Sequence, residues 1–217
     1  SSSSTTDTTV FLSPAWLADA LSCLVTADPT TVEQAFAPGK LGVIGHDAAS
    51  LAKVWPTSTY PTPVHEPLLA IVHQFELAFP LFNENREPAG KSVIPCMLPH
   101  YNEQKQEQQQ EAQPSTTIPD VELVLPWIPV DMISRAMSHI SRTVHVTRVF
   151  QDRLEMAWSM HATGVVTADE VEHTIRIHVS GRRAELLRSI VYDVLQHLLR
   201  QRYPTLIDGT TVRIRCL

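Results

Sequence analysis

Apolar residues change their spacing repeatedly along this chain, and the most informative change lies between Val121 and Val144. Val121–Leu125 is a mainly apolar run whose length and β-branched content suit a buried strand. Pro126 and Pro129 end it, because each lacks an N–H and fixes its φ angle. Beyond them, Met132, Ile133, Ala136, Met137, Ile140 and Val144 fall on one helical stripe, while Asp131, Ser134, Arg135, Ser138 and Arg142 fall on the other. The pattern predicts a strand, a kinked corner and an amphipathic helix.

The earlier part reads as short helices followed by extended pieces. Ser1–Thr9 is a polar lead-in with no apolar residue to bury. Ser13 is a helix N-cap with Pro14 in the first turn, and Trp16, Leu17, Ala20, Leu21, Leu24 and Val25 form the apolar stripe. A short extended piece leads to a second helix capped by Asp47 and carrying Leu51, Val54 and Trp55. A third helix points Leu68, Leu69, Val72 and Phe75 inward, then passes into a strand alternating Leu77, Phe79 and Leu81. Ser92–Pro99 is expected to pair with that strand, which makes the first half winged-helix-like with a two-stranded wing. Asn102–Thr117 has one apolar residue, Ala112, and reads as a flexible linker.

The later part predicts two hairpins and a long helix. VHVTRVF and RLEMAW meet at Gln151 and Asp152. ATGVV leads through a polar turn to a strand alternating Val171, His173, Ile175, Ile177 and Val179 against Glu172, Thr174, Arg176 and His178, closed by Ser180-Gly181. The helix that follows turns Leu187, Ile190, Val191, Val194 and Leu198 inward and stops before Pro204. A last strand is expected to bury Val212, Ile214 and Cys216. The fold class is therefore α+β in two subdomains, 1–114 and 115–217. The first is helical and wing-bearing; the second is a mixed or antiparallel sheet with packed helices.

Composition narrows the chemistry. The 217 residues carry a net charge of −6, which argues against a dedicated nucleic-acid binder. Residues 1–114 hold 12 acidic and 5 basic groups, net −7, and residues 115–217 hold 11 and 12, net +1. All 12 basic groups of the second part are arginines, the basic residue enriched at protein interfaces. Arg182 and Arg183 stand at a helix start, where the helix dipole disfavours positive charge, so they are candidates for an interface. Cys23, Cys96 and Cys216 are far apart and read as reduced thiols of a cytoplasmic protein. No apolar run is long enough to span a bilayer. The ten histidines show no zinc-site spacing, and His173 and His178 would point to opposite faces of a strand. Walker-type loops, nucleophile elbows and kinase signatures are absent from the sequence. The polar start and the abrupt end after a strand are what a segment of a longer protein is expected to show.

PWIPVDMISRAM resembles the start of the C-terminal half of the COR domain, the segment that follows the Roc GTPase in Roco proteins and their leucine-rich-repeat kinases. The shared pattern is an apolar strand, then Trp127-Ile128-Pro129, then Ile133-Ser134-Arg135-Ala136-Met137. Leu12, Pro14, Trp16 and Leu17 are similar to the opening of such domains, as are the Gly-rich approach to a helix ending in Trp55, the Phe75-Glu76-Leu77 segment, and Tyr203, Pro204 and Leu206.

The resemblance implies a non-catalytic dimerisation and coupling module. Its expected partners are its own Roc GTPase domain, a second copy through the C-terminal subdomain, and a kinase domain where the parent has one. No cofactor is expected in this segment, with GTP and magnesium belonging to the adjacent domain. The strand Leu154–Trp158 matches one that docks on the GTPase, with Leu154, Glu155, Ala157 and Trp158 as the residues concerned. Glu155 stands where the family carries an aromatic. Two other readings stay open, a winged-helix nucleic-acid binder and an enzyme domain with an unrecognised site.

Overall fold

A computed structural model of the chain describes residues 13–25, 42–101, 120–158 and 161–215. The Ser1–Thr9 tract, Leu12, the Asn102–Thr117 segment and Cys216 lie outside the described residues.

The first half begins with helix α1 (Pro14–Ser22), where the Ser13 hydroxyl accepts from the Trp16 N–H and Pro14 occupies the first turn. Strand β1 (Val43–Gly45) follows, then α2 (Ala48–Val54), capped by the Asp47 carboxylate on the Ser50 N–H. Helix α3 (His65–Gln74) leads into β2 (Phe79–Phe82) and β3 (Pro88–Val93). The antiparallel order β1-β3-β2 makes the wing three-stranded, one more strand than the sequence pattern predicts. The third strand ends at Val93 and not at Pro99, because Pro95 opens a 3-10 turn over Pro95–Met97. Trp55 is fully buried and its indole N–H donates to the Ala20 carbonyl at 2.8 Å, tying α2 to α1.

The second half is a six-stranded antiparallel sheet with helices on one face. Its strands are β4 (Asp120–Val124), β5 (His145–Val149), β6 (Arg153–Trp158), β7 (Ala162–Asp169), β8 (Thr174–Gly181) and β9 (Thr211–Arg215), in the order β5-β6-β7-β8-β4-β9. Helix α4 (Met132–Ser141), the long α5 (Ala184–Arg202) and the short α6 (Pro204–Ile207) accompany them. Leu123, Leu154, Met156, Ile175 and Ile177 face Met132, Met137, Ile140, Leu187 and Leu195 in one core. Full burial of each such side chain contributes about 1.5–3 kcal/mol. A second core gathers Ile44, Trp55, Leu68 and Val72. Phe79, Val93 and Leu98 belong to the first core, so the wing packs on the second half.

Several expected positions differ. Val25 and Phe75 are exposed, since α1 and α3 end in turns at those residues. Ser138, expected on the polar stripe, is buried, because α4 packs over a wider arc than six apolar positions cover. Val171 and His173 lie in the β7–β8 turn, His173 at φ 52°, so β8 begins only at Thr174. As expected, α5 ends before Pro204, at Arg202, and Pro204 then opens the short α6. Val212 and Ile214 lie on the core side of β9 but stay 41% and 63% exposed and are not buried, because β9 is an edge strand.

Gly181 closes β8 at φ +104°, and a Cβ there would lie 2.2 Å from the His161 carbonyl oxygen. Gly90 has φ +64° with nothing near its Cβ position. Gly181→Ala is expected to cost about 3 kcal/mol or more and Gly90→Ala about 1 kcal/mol, compared by urea unfolding.

Candidate functional site

Three polar constellations stand out, and each is placed by backbone that the sequence dictates. The first joins the two halves. Helix α3 ends with Glu76 at φ 59°, its N–H on the His73 carbonyl and the Leu77 N–H on the Val72 carbonyl. This left-handed closing position favours glycine, and a glutamate there costs about 1 kcal/mol. Its carboxylate receives Arg135 and lies 3.3 Å from His139 Nε2, both on α4. Arg135 also donates through Nε to Asp131 at 2.7 Å, and Asp131 accepts from the Tyr203 hydroxyl at 2.8 Å. The chain of contacts thus runs from α3 through α4 to the end of α5.

Electrostatics follow the geometry. Burial opposes ionisation of Asp131, but hydrogen bonds from Arg135 and Tyr203 outweigh it and hold the carboxyl below its ordinary value. The hydrogen bond to Asp131, helped by the Glu76 charge, raises Arg135. Burial and then the bond to Asp131 push the Tyr203 phenol well up. The Arg135 guanidinium, the Asp131 carboxylate and the Tyr203 phenol therefore stay in one ionisation state throughout the neutral range.

A second cluster lies under the wing. The Ser92 hydroxyl is fully buried and sits 2.7 Å from Nε2 of both His46 and His73. Strand β3 carries the serine, the residue after β1 carries His46, and α3 carries His73. Burial lowers the pKa of His46. On His73 burial acts first, and the charges of His46 and Arg142 add to it. A serine next to a histidine suggests a nucleophile, but this one has no exposed surface and both its neighbours are committed to it. Among the described residues no group of three or more metal-ligating side chains converges.

The third constellation is the face of the six-stranded sheet opposite α4 and α5. Glu155 pairs in register with Arg148 on β5 and Val165 on β7, with His178 beyond on β8. It accepts from Arg153 Nε at 2.8 Å, and the Arg153 guanidinium lies 4.0 Å from the Tyr101 ring centroid. Farther along, Glu122 is only 1% exposed and accepts from Arg176 Nε at 2.9 Å, with Arg213 Nη1 at 3.9 Å. Arg176 also meets Glu172, and its hydrogen bond to Glu122 is the largest cause holding its pKa up.

Of the residues that the sequence points to, Glu155 and Ala157 are half-buried on this face. Leu154 is buried in the core. Trp158 packs half-buried against the core, with the Arg86 guanidinium 5.7 Å from its ring centroid. Arg182 and Arg183 are both exposed at the start of α5, Arg183 as the residue before its first turn. They are some distance in sequence from the Glu155 strand and form no ion pair among the described residues. Sequence reasoning missed Glu76, Glu122 and the His46–Ser92–His73 cluster. A single carboxylate inside the apolar run Val121–Leu125 was the one available sign of Glu122.

No family model matches the chain. Over 90 residues, 41% of its length, it is 30% identical to the probable serine/threonine-protein kinase pats1 of Dictyostelium discoideum. Over 89 residues, also 41%, it is 31% identical to the probable serine/threonine-protein kinase roco5 of the same organism. The shared stretch amounts to 2% of the first protein and 3% of the second. The chain is thus similar over part of its length to a protein that bears the Roco name.

His46, His73 and His139 all have folded-state pKa values below 6.5, burial being the first cause in each, with Glu76 opposing it at His139. The unfolded chain therefore binds protons first as the pH falls. The stability these neutral rings contribute is complete above 6.5 and is lost as the pH falls through the folded-state values. The urea midpoint is expected to be lower near pH ~5.5 than near pH ~7.5, and His73→Gln should make that difference smaller.

Proposed function

We propose that this chain is a COR-type coupling module of a Roco protein, non-catalytic in itself. It docks on the adjacent Roc GTPase domain, contributes to homodimerisation through its second half, and regulates GTP hydrolysis and a kinase domain where the parent has one. The observation that carries this reading is the position of Arg135, the arginine of the Ile-Ser-Arg-Ala-Met segment. It bonds Glu76 of the first half and Asp131 of the second, and through Asp131 it reaches Tyr203. A residue of the resembled motif is thus one of the ties between the two halves, as a module that passes a change from one domain to another requires. The partial similarity to roco5 supports the same reading. In this proposal the face bearing Glu155 and Ala157 meets the GTPase, and Arg182, Arg183 and the exposed start of α5 meet the second copy.

Two measurements on the protein that includes the GTPase test it. Arg135→Met should lower unfolding free energy by about 1–3 kcal/mol, the cost of leaving a largely buried Glu76 without its main partner. It should also change the GTP hydrolysis rate about three-fold or more. Stability lost with hydrolysis unchanged would confine Arg135 to folding. Glu155→Arg should slow association of the two domains several-fold at low salt, read by stopped-flow, since peripheral charges act mainly on association rate. Unchanged association would remove this face from the docking surface.

A further inference from the structure

The six-stranded sheet finishes its two edges differently. At β5 the ladder is broken by an irregularity between Val146 and Arg148, and Thr147 and Arg148 are exposed there, both devices that discourage further pairing. Among the described residues strand β9 has neither a break nor a cover. Its five residues pair in continuous register with β4, from Thr211 against Val124 to Arg215 against Asp120, and no described strand lies beyond it. Val212 and Ile214 pair with Leu123 and Val121, the core-facing residues of β4, yet remain 41% and 63% exposed. Helix α5 stops short of the edge, leaving a cleft of about 320 Å3 lined by Glu185, Arg188, Tyr192, Val121, Val212 and Ile214.

We propose that this edge is a docking groove for an extended segment of another protein in which apolar residues alternate with carboxylates. The inner side of β9 already holds such a segment. Strand β4 reads Val-Glu-Leu-Val, placing Val121 and Leu123 opposite Ile214 and Val212 and placing Glu122 opposite Arg213, with carboxylate and guanidinium 3.9 Å apart. The outer edge offers the same alternation again. The Arg213 side chain keeps 61% of its surface for a second carboxylate, the cleft takes the apolar side chains, and the open ladder supplies main-chain hydrogen bonds. A second copy of this chain fits less well. Two-fold antiparallel pairing centred on Arg213 sets the two arginines directly opposite each other, and like charges so placed destabilise the pair. This groove lies away from the Glu155 face assigned above to the GTPase and borders, at Glu185, the helix start assigned to the second copy.

The test titrates the full chain against a labelled synthetic peptide, IPDVELVLP, which copies residues 118–126, and against the same peptide with Glu122→Lys. Fluorescence anisotropy should show saturable binding of the first peptide and about ten-fold weaker binding of the second. Hydrogen exchange at Thr211–Arg215 should slow on binding. Ile214→Asp alters an exposed side chain and should leave the urea midpoint unchanged while weakening the peptide about ten-fold or more. Arg213→Gln should bring the two peptides to within about three-fold of each other. Absence of binding at about millimolar peptide, or equal binding to Ile214→Asp, overturns the proposal. Faster exchange at Val121–Val124 would mean that the peptide displaces β4, and overturns it too. So does self-association that Ile214→Asp abolishes without any peptide binding, which would make a second copy the occupant.

Discussion

The contact between Arg135 and Glu76 holds the molecule in one arrangement. Each half has its own core, and the wing leans on the sheet through Phe79 and Val93. Apolar packing alone specifies the join less sharply, because cores tolerate repacking when volume and pattern are kept. A charged pair at the join is not tolerant. Glu76 is largely buried, and displacing it from Arg135 would leave a carboxylate with little water and only His139 beside it. The left-handed backbone at Glu76 is explained by the same requirement, since the closing glycine that α3 would prefer has no side chain to send across the join.

The sheet's polar face repeats this logic on a smaller scale. Glu122 and Glu155 do not stand as free carboxylates; arginines on their own or neighbouring strands bond to each of them. Such pairs fix strand register as well as charge, because a slip of one residue would carry Glu122 onto the apolar face. The result is a face whose carboxylates Glu122 and Glu155 are both paired and whose strand edges differ.

Much of this was legible in the sequence. Ser13 with Pro14 and Asp47 marked two helix starts that the structure realises, and the hairpin joined by Gln151 and Asp152 lies where the alternation put it. Periodicity reports which side of an element an apolar residue takes, and it was right about that even at Val212 and Ile214. It cannot report whether another element extends far enough to cover them. Val25, Phe75 and Val171 failed for a related reason, since each lies one to three residues outside the helix or strand whose pattern it continues. The site was far less legible. Glu76 and Arg135 are 59 residues apart, Ser92 and His46 are 46 apart, and nothing in local spacing reveals such pairs. The resemblance drew attention to Arg135 without saying what it touches.

The Ser92 hydroxyl has a single proton and two imidazole neighbours at equal distance. With both rings neutral, the hydroxyl donates to one Nε2 and accepts an N–H from the other, so the two histidines must hold opposite tautomers. Exchanging them relocates one proton on each ring and turns the serine hydroxyl from one ring to the other. Two proton arrangements of one heavy-atom structure are therefore available beneath the wing. If their energies are equal, the pair adds about 0.4 kcal/mol of configurational entropy at room temperature, and any nearby charge that favours one of them removes it.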